Sequence, residues 1–305
     1  MIKYLARRFV ASALILLGVV TITFCLIYIF PADPVRQVAG HNATPETVAS
    51  IRHEMGLDRP LPERYGIYVG RLFQGDLGRS YIQKSDVGEL IRSRLPATLL
   101  LMLGAIFFEL LIGIPLGILA AARRGKVDRG IMIMAFAGVS APQFVVGLIL
   151  LYVFAYVIGW FPLSGYGGIS HLILPALTLG IGGGGWYARV LRSNLVEVMR
   201  QDYIRTARAK GLSERSVVMI HALRNAILPA VAMVGLDIGT FMGGAVVVES
   251  VYGWPGIGQL AWQAIQRVDS PIIMGVTLVA AVAIVIGNLL ADLVTPLIDP
   301  RVRLR

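Results

Sequence analysis

Charged residues and cysteine are scarce in this chain of 305 residues. Only 15% of the residues are charged whereas 56% are hydrophobic, and a soluble domain of this size does not need so much apolar surface inside. The single cysteine, Cys25, excludes an intramolecular disulfide and a zinc cluster built from several thiolates. The composition therefore predicts an all-α membrane protein, surrounded by lipid over much of its surface.

The sequence also lacks the motifs of nucleotide-binding and catalytic sites. No stretch matches the phosphate-binding pattern G-x-x-x-x-G-K-[ST] or the zinc pattern H-E-x-x-H, and no serine stands in a G-x-S-x-G turn. Gly180, Gly182 and Gly185 fit the dinucleotide pattern, but no strand precedes them, so close helix packing is the favoured interpretation. The chain is predicted to bind no cofactor or metal itself and to be no enzyme.

Long apolar runs predict six membrane-spanning helices. About 20 helical residues cross a hydrocarbon layer of roughly 30 Å. The predicted spans are residues 9–30, 97–122, 131–158, 171–191, 226–249 and 272–297. The first run is longer than the apolar core of a signal peptide and has no small-x-small cleavage site, which favours a retained helix.

Basic residues predict the orientation of these spans. Lys and Arg gather before the first span, between spans two and three, between spans four and five, and in the tail. The two short loops on the other side, 159–170 and 250–271, hold only Arg267, so both termini are expected in the cytoplasm of a bacterial cell. This placement accounts for the net charge of +10 without a nucleic-acid partner.

The spans divide the chain into four predicted regions. An N-terminal helix, 1–30, is followed by a long segment of mixed charge, 31–96, which predicts a small periplasmic insert. Residues 97–297 are the predicted five-helix core, and 298–305 are a cytoplasmic tail. Glycines at small-xxx-small spacing predict close packing, within the chain or against a partner. They are Gly113 with Gly117, and Gly235 with Gly239 and Gly243.

Residues 193–225 are too polar and too long for a mere connection between spans four and five. Asn194 and Glu197 have the form of a capping box, which predicts a helix starting there. Gly211 predicts its end, and Ser213 can begin a second helix. The predicted unit is a helix-turn-helix knob with a nearly bare tip at Ala207, Ala209 and Gly211; a basic helix lying on the membrane surface is the alternative.

The same loop resembles a known family. Residues 201–212, Gln-Asp-Tyr-Ile-Arg-Thr-Ala-Arg-Ala-Lys-Gly-Leu, and 221–229, His-Ala-Leu-Arg-Asn-Ala-Ile-Leu-Pro, are similar to the coupling loop of ABC-importer permeases of the dipeptide, oligopeptide and nickel branch. Of the general Glu-Ala-Ala…Gly signature only Ala207 and Gly211 match, a departure typical of the branch. Seven further segments carry the resemblance: 31–34, 56–61, 75–80, 94–98, 113–117, 249–258 and 297–303.

The resemblance implies the type I ABC importer permease fold and one half of a translocation pathway for short peptides. Implied partners are a homologous second permease subunit, two ATPase subunits or one fused ATPase that bind ATP and Mg, a periplasmic or lipid-anchored substrate-binding protein, and membrane lipid. Implied ATPase-coupling residues are Asp202, Tyr203, Arg205, Thr206, Ala207, Arg208, Ala209, Lys210 and Gly211. Tyr252, Trp254, Gln259 and Trp262 are expected to contact the binding protein, on a shallow element within 251–271.

Four acidic residues lie in or near the predicted spans: Glu109, Asp237, Glu249 and Asp292. A charge at the bilayer centre costs roughly 2.5 to 3.5 kcal/mol on insertion scales, so each acid needs a partner or water. Two interpretations of Glu109 and Asp237 stay open: they line the pathway or pair across the permease dimer, or they only fix packing.

Other functions also stay open at this point. Within the importer class, nickel or glutathione-like substrates are alternatives to peptides. An ATP-independent secondary transporter or channel is the alternative of another class, and the polar loop argues against it. A membrane enzyme is disfavoured because no nucleophile, base or metal cluster is visible.

Overall fold

The computed structural model describes residues 2–29, 34–40, 43–123 and 125–298. The predictions for residues 31–33 and for the tail from 299 onwards lie outside this part of the chain. The helices are α1 (Ile2–Ile29), α2 (Pro34–Ala39), α3 (Pro45–Glu54), α4 (Leu61–Phe73), α5 (Val87–Ala122), α6 (Lys126–Ser140), α7 (Gln143–Leu150), α8 (Ile169–Val198), α9 (Asp202–Ala209), α10 (Glu214–Ser216), α11 (Leu223–Ala226), α12 (Leu228–Met242), α13 (Val246–Tyr252), α14 (Ile257–Gln266) and α15 (Ser270–Ile298). Two π-helical segments, Leu151–Val157 and Val217–Ala222, follow α7 and α10.

Three described helices, α1, α5 and α15, are long and apolar enough to cross a membrane alone. Two further spans qualify only as bent pairs. One joins α6 to α7 and its π-helical continuation at 101°, and the other joins residues 214–226 to α12 at 48°. The predicted span 131–158 is therefore two segments, because Pro142 lacks a backbone N–H and begins α7 from its N-cap position. The predicted span 171–191 lies within α8, which is less apolar on average than α1, α5 and α15.

The predicted fifth span, 226–249, also ends earlier than expected. Helix α12 stops at Met242, and the backbone turns at Gly244, where φ is +95°. A Cβ at Gly244 would overlap the backbone of Gly258, so this turn requires glycine both for conformation and for space. Residues 246–252 then form the separate helix α13, which carries Glu249 away from the end of the span.

Helices α5 and α8 form the most extensive helix pair in the described bundle. A Cβ at Gly117 would lie 2.9 Å from the Ala188 carbonyl oxygen, and one at Gly113 would lie 2.8 Å from that of Gly184. Helices α12 and α15 are the second large pair, and a Cβ at Gly239 would lie 2.9 Å from the Ile284 Cα. The predicted glycine packing is confirmed for these positions, and the contact is within the chain.

The insert after α1 is fastened to the bundle. Its helix α4 packs beside α1, where the hydroxyl groups of Tyr65 and Thr21 are 2.7 Å apart and the Tyr65 and Tyr68 rings contact Phe24. The following helix, α5, begins at Val87 and not near 97, because Asp86 caps it by accepting a hydrogen bond from the Glu89 N–H at 3.0 Å. Residues 87–96 are thus part of the α5 helix.

Candidate functional site

Residues 199–226 fold into a knob at the ends of α5 and α8 that lie away from the insert. One face of α9 is buried there: Ile204 is fully buried and Ala207 is 7% exposed. These two residues, three apart, share a face of the helix and join an apolar cluster. The cluster consists of Ala121, Leu191, Leu195, Val198, Ile204, Ala207, Val217, Val218, Ala222 and Ala226. The knob is therefore held on the bundle by burial of apolar surface.

The turn of the knob is set by Gly211. Its φ is +79°, a left-handed conformation that residues with a Cβ rarely adopt, whereas a Cβ there would meet only open space. The glycine is thus required for its conformation. Ser213 begins the next helix by accepting a hydrogen bond from the Ser216 N–H at 3.4 Å. The predicted helix end at Gly211 and helix start at Ser213 are confirmed.

Polar contacts join the two arms of the knob. Arg208 donates to Glu214 through two hydrogen bonds, from Nε to Oε1 at 2.6 Å and from Nη2 to Oε2 at 3.3 Å. Asn225 donates from Nδ2 to the Tyr203 hydroxyl at 2.8 Å. A paired, two-point arginine contact fixes direction as well as distance. These contacts of Glu214 and Asn225 were not predicted from the sequence. For Glu214, the only available signal was its position six residues after Arg208, across the turn at Gly211.

The outward face of the knob carries most of the predicted coupling residues. Exposed members are Asp202, Tyr203, Arg205, Thr206, Arg208, Ala209, Lys210 and Gly211. The expectation of Ala207 at an accessible tip is wrong, because that side chain packs into the bundle. Arg205 is 81% exposed and lies 3.5 Å from Asp202, which is 95% exposed. An ion pair between such exposed groups is weak, so Arg205 stays available to a partner. Leu212, 40% exposed beside the turn, adds an apolar group to this face.

The predicted helix start at Asn194 is also wrong. Helix α8 continues without a break to Val198, and Asn194 Nδ2 donates to the Val190 carbonyl oxygen at 2.9 Å. The side chain therefore bonds back along its own helix and does not cap a new one. The first knob helix, α9, starts only after the extended residue Gln201.

Only one of the four residues expected to contact a binding protein is well exposed. Trp254 is fully buried and donates from Nε1 to the Ala97 carbonyl oxygen at 2.9 Å, and Tyr252 is 3% exposed and hydrogen bonds to Thr178 at 2.8 Å. Burial makes these two aromatics internal packing groups, which contradicts their expected exposure. Gln259 is half-buried and accepts from Arg94 at 3.2 Å, whereas Trp262 is 45% exposed.

Glu249 caps a helix inside the chain. It is fully buried, and its Oε2 accepts a hydrogen bond from the Gln259 N–H at 2.6 Å in the first turn of α14. The Ile257 N–H of the same turn donates to Thr98 Oγ1 at 2.8 Å. A carboxylate at a helix N-terminus is favoured by the free N–H groups and by the helix dipole. A Cβ at Gly256 would overlap this carboxylate, which explains the glycine beside it.

Glu109, Asp237 and Tyr187 meet inside the bundle and are called the acid cluster below. Glu109 of α5 is 2% exposed and Tyr187 of α8 is 1% exposed. The Tyr187 hydroxyl donates a hydrogen bond to Asp237 Oδ2 on α12, and the Asp237 carboxyl interacts directly with that of Glu109. The two acids thus pair within one chain. Tyr187 was missed in the sequence, and the side chain of Asp292 lies outside the described residues.

Comparison with known proteins identifies the family. Residues 113–304 match the family described as "Binding-protein-dependent transport system inner membrane component", and residues 1–102 match its N-terminal membrane component. The Oligopeptide transport system permease protein AppB of Bacillus subtilis is 40% identical over 314 residues, with 99% of each chain covered. The chain belongs to this permease family.

Further similarities agree with this permease assignment. The Glutathione transport system permease protein GsiC of Salmonella typhi is 38% identical over 304 residues, with 99% of each chain covered. A structure of the MetNI methionine ABC transporter in an inward-facing conformation has a TM-score of 0.58 at 21% identity, and it covers 68% of this chain and 96% of that chain. The permease therefore has the type I ABC importer fold and is a multi-pass inner-membrane transport subunit, as predicted. An ATP-independent transporter and a membrane enzyme are set aside.

Proposed function

We propose that this permease forms half of the pathway through which an ATP-driven importer takes up short peptides. The observation that carries the proposal is the 40% identity to an oligopeptide permease over 99% of both chains. The exposed knob on α5 and α8 supports coupling to a partner, because a rigidly seated helix face can transmit a push to the helices beneath it. A glutathione-like substrate is the second candidate, since a permease named for glutathione is 38% identical.

The partners follow from the same argument. A homologous second permease subunit completes the pathway, a periplasmic or lipid-anchored binding protein delivers the substrate, and two ATPase subunits or one fused ATPase bind ATP and Mg. The absence of the phosphate-binding pattern from this sequence supports the division of labour with the ATPase. Both termini and the knob lie in the cytoplasm, as the basic loops predict.

The knob meets the ATPase with its exposed face. Arg205 and Lys210 are the basic groups proposed to meet acids on the ATPase, because Arg208 is already engaged by Glu214. Ala209 and the bare Gly211 turn allow the ATPase to approach the backbone. Ala207 acts only indirectly, by seating α9 on the bundle.

Uptake into proteoliposomes tests the substrate. The permease is reconstituted with its second permease, ATPase and binding protein, and accumulation of labelled dipeptides, longer peptides, glutathione and Ni²⁺ is measured with and without ATP. The expected result is peptide accumulation that requires both ATP and the binding protein. Peptide uptake without the ATPase, or ATP-dependent uptake of Ni²⁺ alone, would contradict the proposal.

Co-purification with the ATPase tests the knob. The substitution Ala209→Trp adds a bulky ring to the exposed face without entering the buried cluster. It is expected to reduce ATPase recovery at least tenfold while membrane insertion is unchanged. Ala49→Trp, on an exposed position of the insert helix α3, is the matched control. Equal ATPase recovery in both variants would remove the proposed role of the knob.

A further inference from the structure

The acid cluster is built into the bundle, and the coupling mechanism uses none of its members. A Cβ at Gly183 of α8 would overlap the Glu109 carboxyl, so the glycine run of α8 makes the room in which this side chain lies. Glu109 Oε2 is buried without a hydrogen-bond partner among the described residues. A buried, unpaired carboxyl oxygen costs stability unless a ligand or proton satisfies it.

Among the described residues, no positive charge compensates the two acids. In the described part of the chain, no Lys, Arg or His forms an ion pair with Glu109 or Asp237, and the groups that act on them are each other and Tyr187. From α15, residues 270–290 contribute no titratable side chain. Two ionised carboxylates are both acceptors only and repel each other, so their interaction inside the bundle requires a proton on one of them.

We propose that Glu109 and Asp237 form a proton-binding site inside the membrane, which holds one proton between the two carboxyl groups in this conformation. The Tyr187 hydroxyl donates a hydrogen bond to Asp237 Oδ2. The remaining negative charge of the two carboxyl groups thus has two donors, the shared proton and this hydroxyl. The ligand of the site is H⁺, taken up with no change in covalent bonding other than the O–H bond formed.

The site lies at a seam of the bundle. Helices α5 and α8 form one packed unit and α12 and α15 another, while α12 makes far fewer contacts with α5 and α8. The shared proton links the two units across this seam. Its loss would leave two negative charges facing each other in a medium of low dielectric constant, which favours separation of α12 from α5.

Infrared difference spectroscopy tests the bound proton directly and does not depend on transport. The purified complex in lipid nanodiscs at neutral pH is expected to show the carbonyl stretch of a protonated carboxylic acid, with a shift in D₂O. Glu109→Gln and Asp237→Asn should each abolish this band, because the amide then donates to a single carboxylate. Glu54→Gln, at an exposed site of the insert, should leave it.

Absence of the band from the native complex, or its persistence in both amide variants, would overturn the proposal. Should either amide variant fail to fold, Tyr187→Phe is measured instead, since it keeps both acids: a band that shifts in frequency supports the site, and an unchanged band contradicts it. ATP-driven uptake adds a functional measurement. Uptake by the native complex should fall at high pH, where the site loses its proton. Uptake by the Glu109→Gln variant should depend less on pH.

Discussion

Asp269 accepts a hydrogen bond from the Ser80 hydroxyl at 2.5 Å, although 189 positions separate the two residues in the chain. The same buried carboxylate accepts from the N–H groups of Tyr81 and Ile82 at 3.1 and 3.2 Å. Ser80 in turn accepts from the Gln83 N–H at 2.8 Å. These hydrogen bonds join the insert loop to the residue that precedes α15.

Replacing Asp269 by Ala should loosen the insert. The change leaves the buried Ser80 hydroxyl and two part-buried N–H groups without their acceptor, at a cost of about 1 to 3 kcal/mol. Hydrogen exchange of the Tyr81 and Ile82 amides should speed up at least tenfold. Asp58→Ala removes an exposed carboxylate of the insert that contacts His53, and it serves as the control. Equal exchange rates in the two variants would show that Asp269 does not hold the loop.

The Arg208–Glu214 pair should matter more for coupling than for stability. Its side chains are 41% and 66% exposed, and exposed ion pairs contribute about 0.2 to 1 kcal/mol. Arg208→Glu should therefore leave the melting temperature nearly unchanged and weaken ATPase binding, because the two arms of the knob repel. The double exchange Arg208→Glu with Glu214→Arg should recover part of the binding. No recovery would mean that Arg208 acts through the partner and not through Glu214.

Helix α14 should depend on its cap from Glu249. Glu249→Ala leaves the Gln259 N–H unpaired at a buried helix N-terminus, at a cost of about 1 to 3 kcal/mol. Glu249→Gln keeps the acceptor and should recover about half of the loss, since only the charge is removed. Thermal unfolding of the purified complex in detergent measures both. A loss from Gln as large as that from Ala would show that the charge, and not the hydrogen bond, stabilises this helix.

Local patterns in the sequence predicted the features that depend on interactions between residues close in the chain. The turn at Gly211 and the start at Ser213 follow from backbone conformation and from a cap within three residues. The predicted helix start at Asn194 was wrong, although the residues fit a capping box, because α8 continues through this position and packs its buried face on the bundle. Burial of Ala207 depends on tertiary packing, which spacing alone does not reveal.

The candidate site shows the same division. Glu109 and Asp237 could be singled out from the sequence, because an acidic residue within an apolar span is costly wherever it lies. That they contact each other, and that Tyr187 joins them, depends on the crossing of α5, α8 and α12. The aromatic residues Tyr252 and Trp254 could pass for surface groups because their hydrogen-bond partners, Thr178 and Ala97, are distant in sequence.

The close approach of α5 and α8 should make Gly113 intolerant of any side chain. A Cβ there would overlap the Tyr187 side chain and lie 2.8 Å from the Gly184 carbonyl oxygen, with helix backbone on both sides. Gly113→Ala is expected to destabilise the bundle by about 1 to 3 kcal/mol, the usual cost of overpacking. Gly130→Ala on α6, where a Cβ meets open space, is the control and should be neutral or slightly stabilising. Displacement of Tyr187 would also break its hydrogen bond to Asp237. Gly113→Ala should therefore reduce transport more than another variant with the same melting temperature does. An equal loss of transport in the two variants would argue against a role of this hydrogen bond in transport.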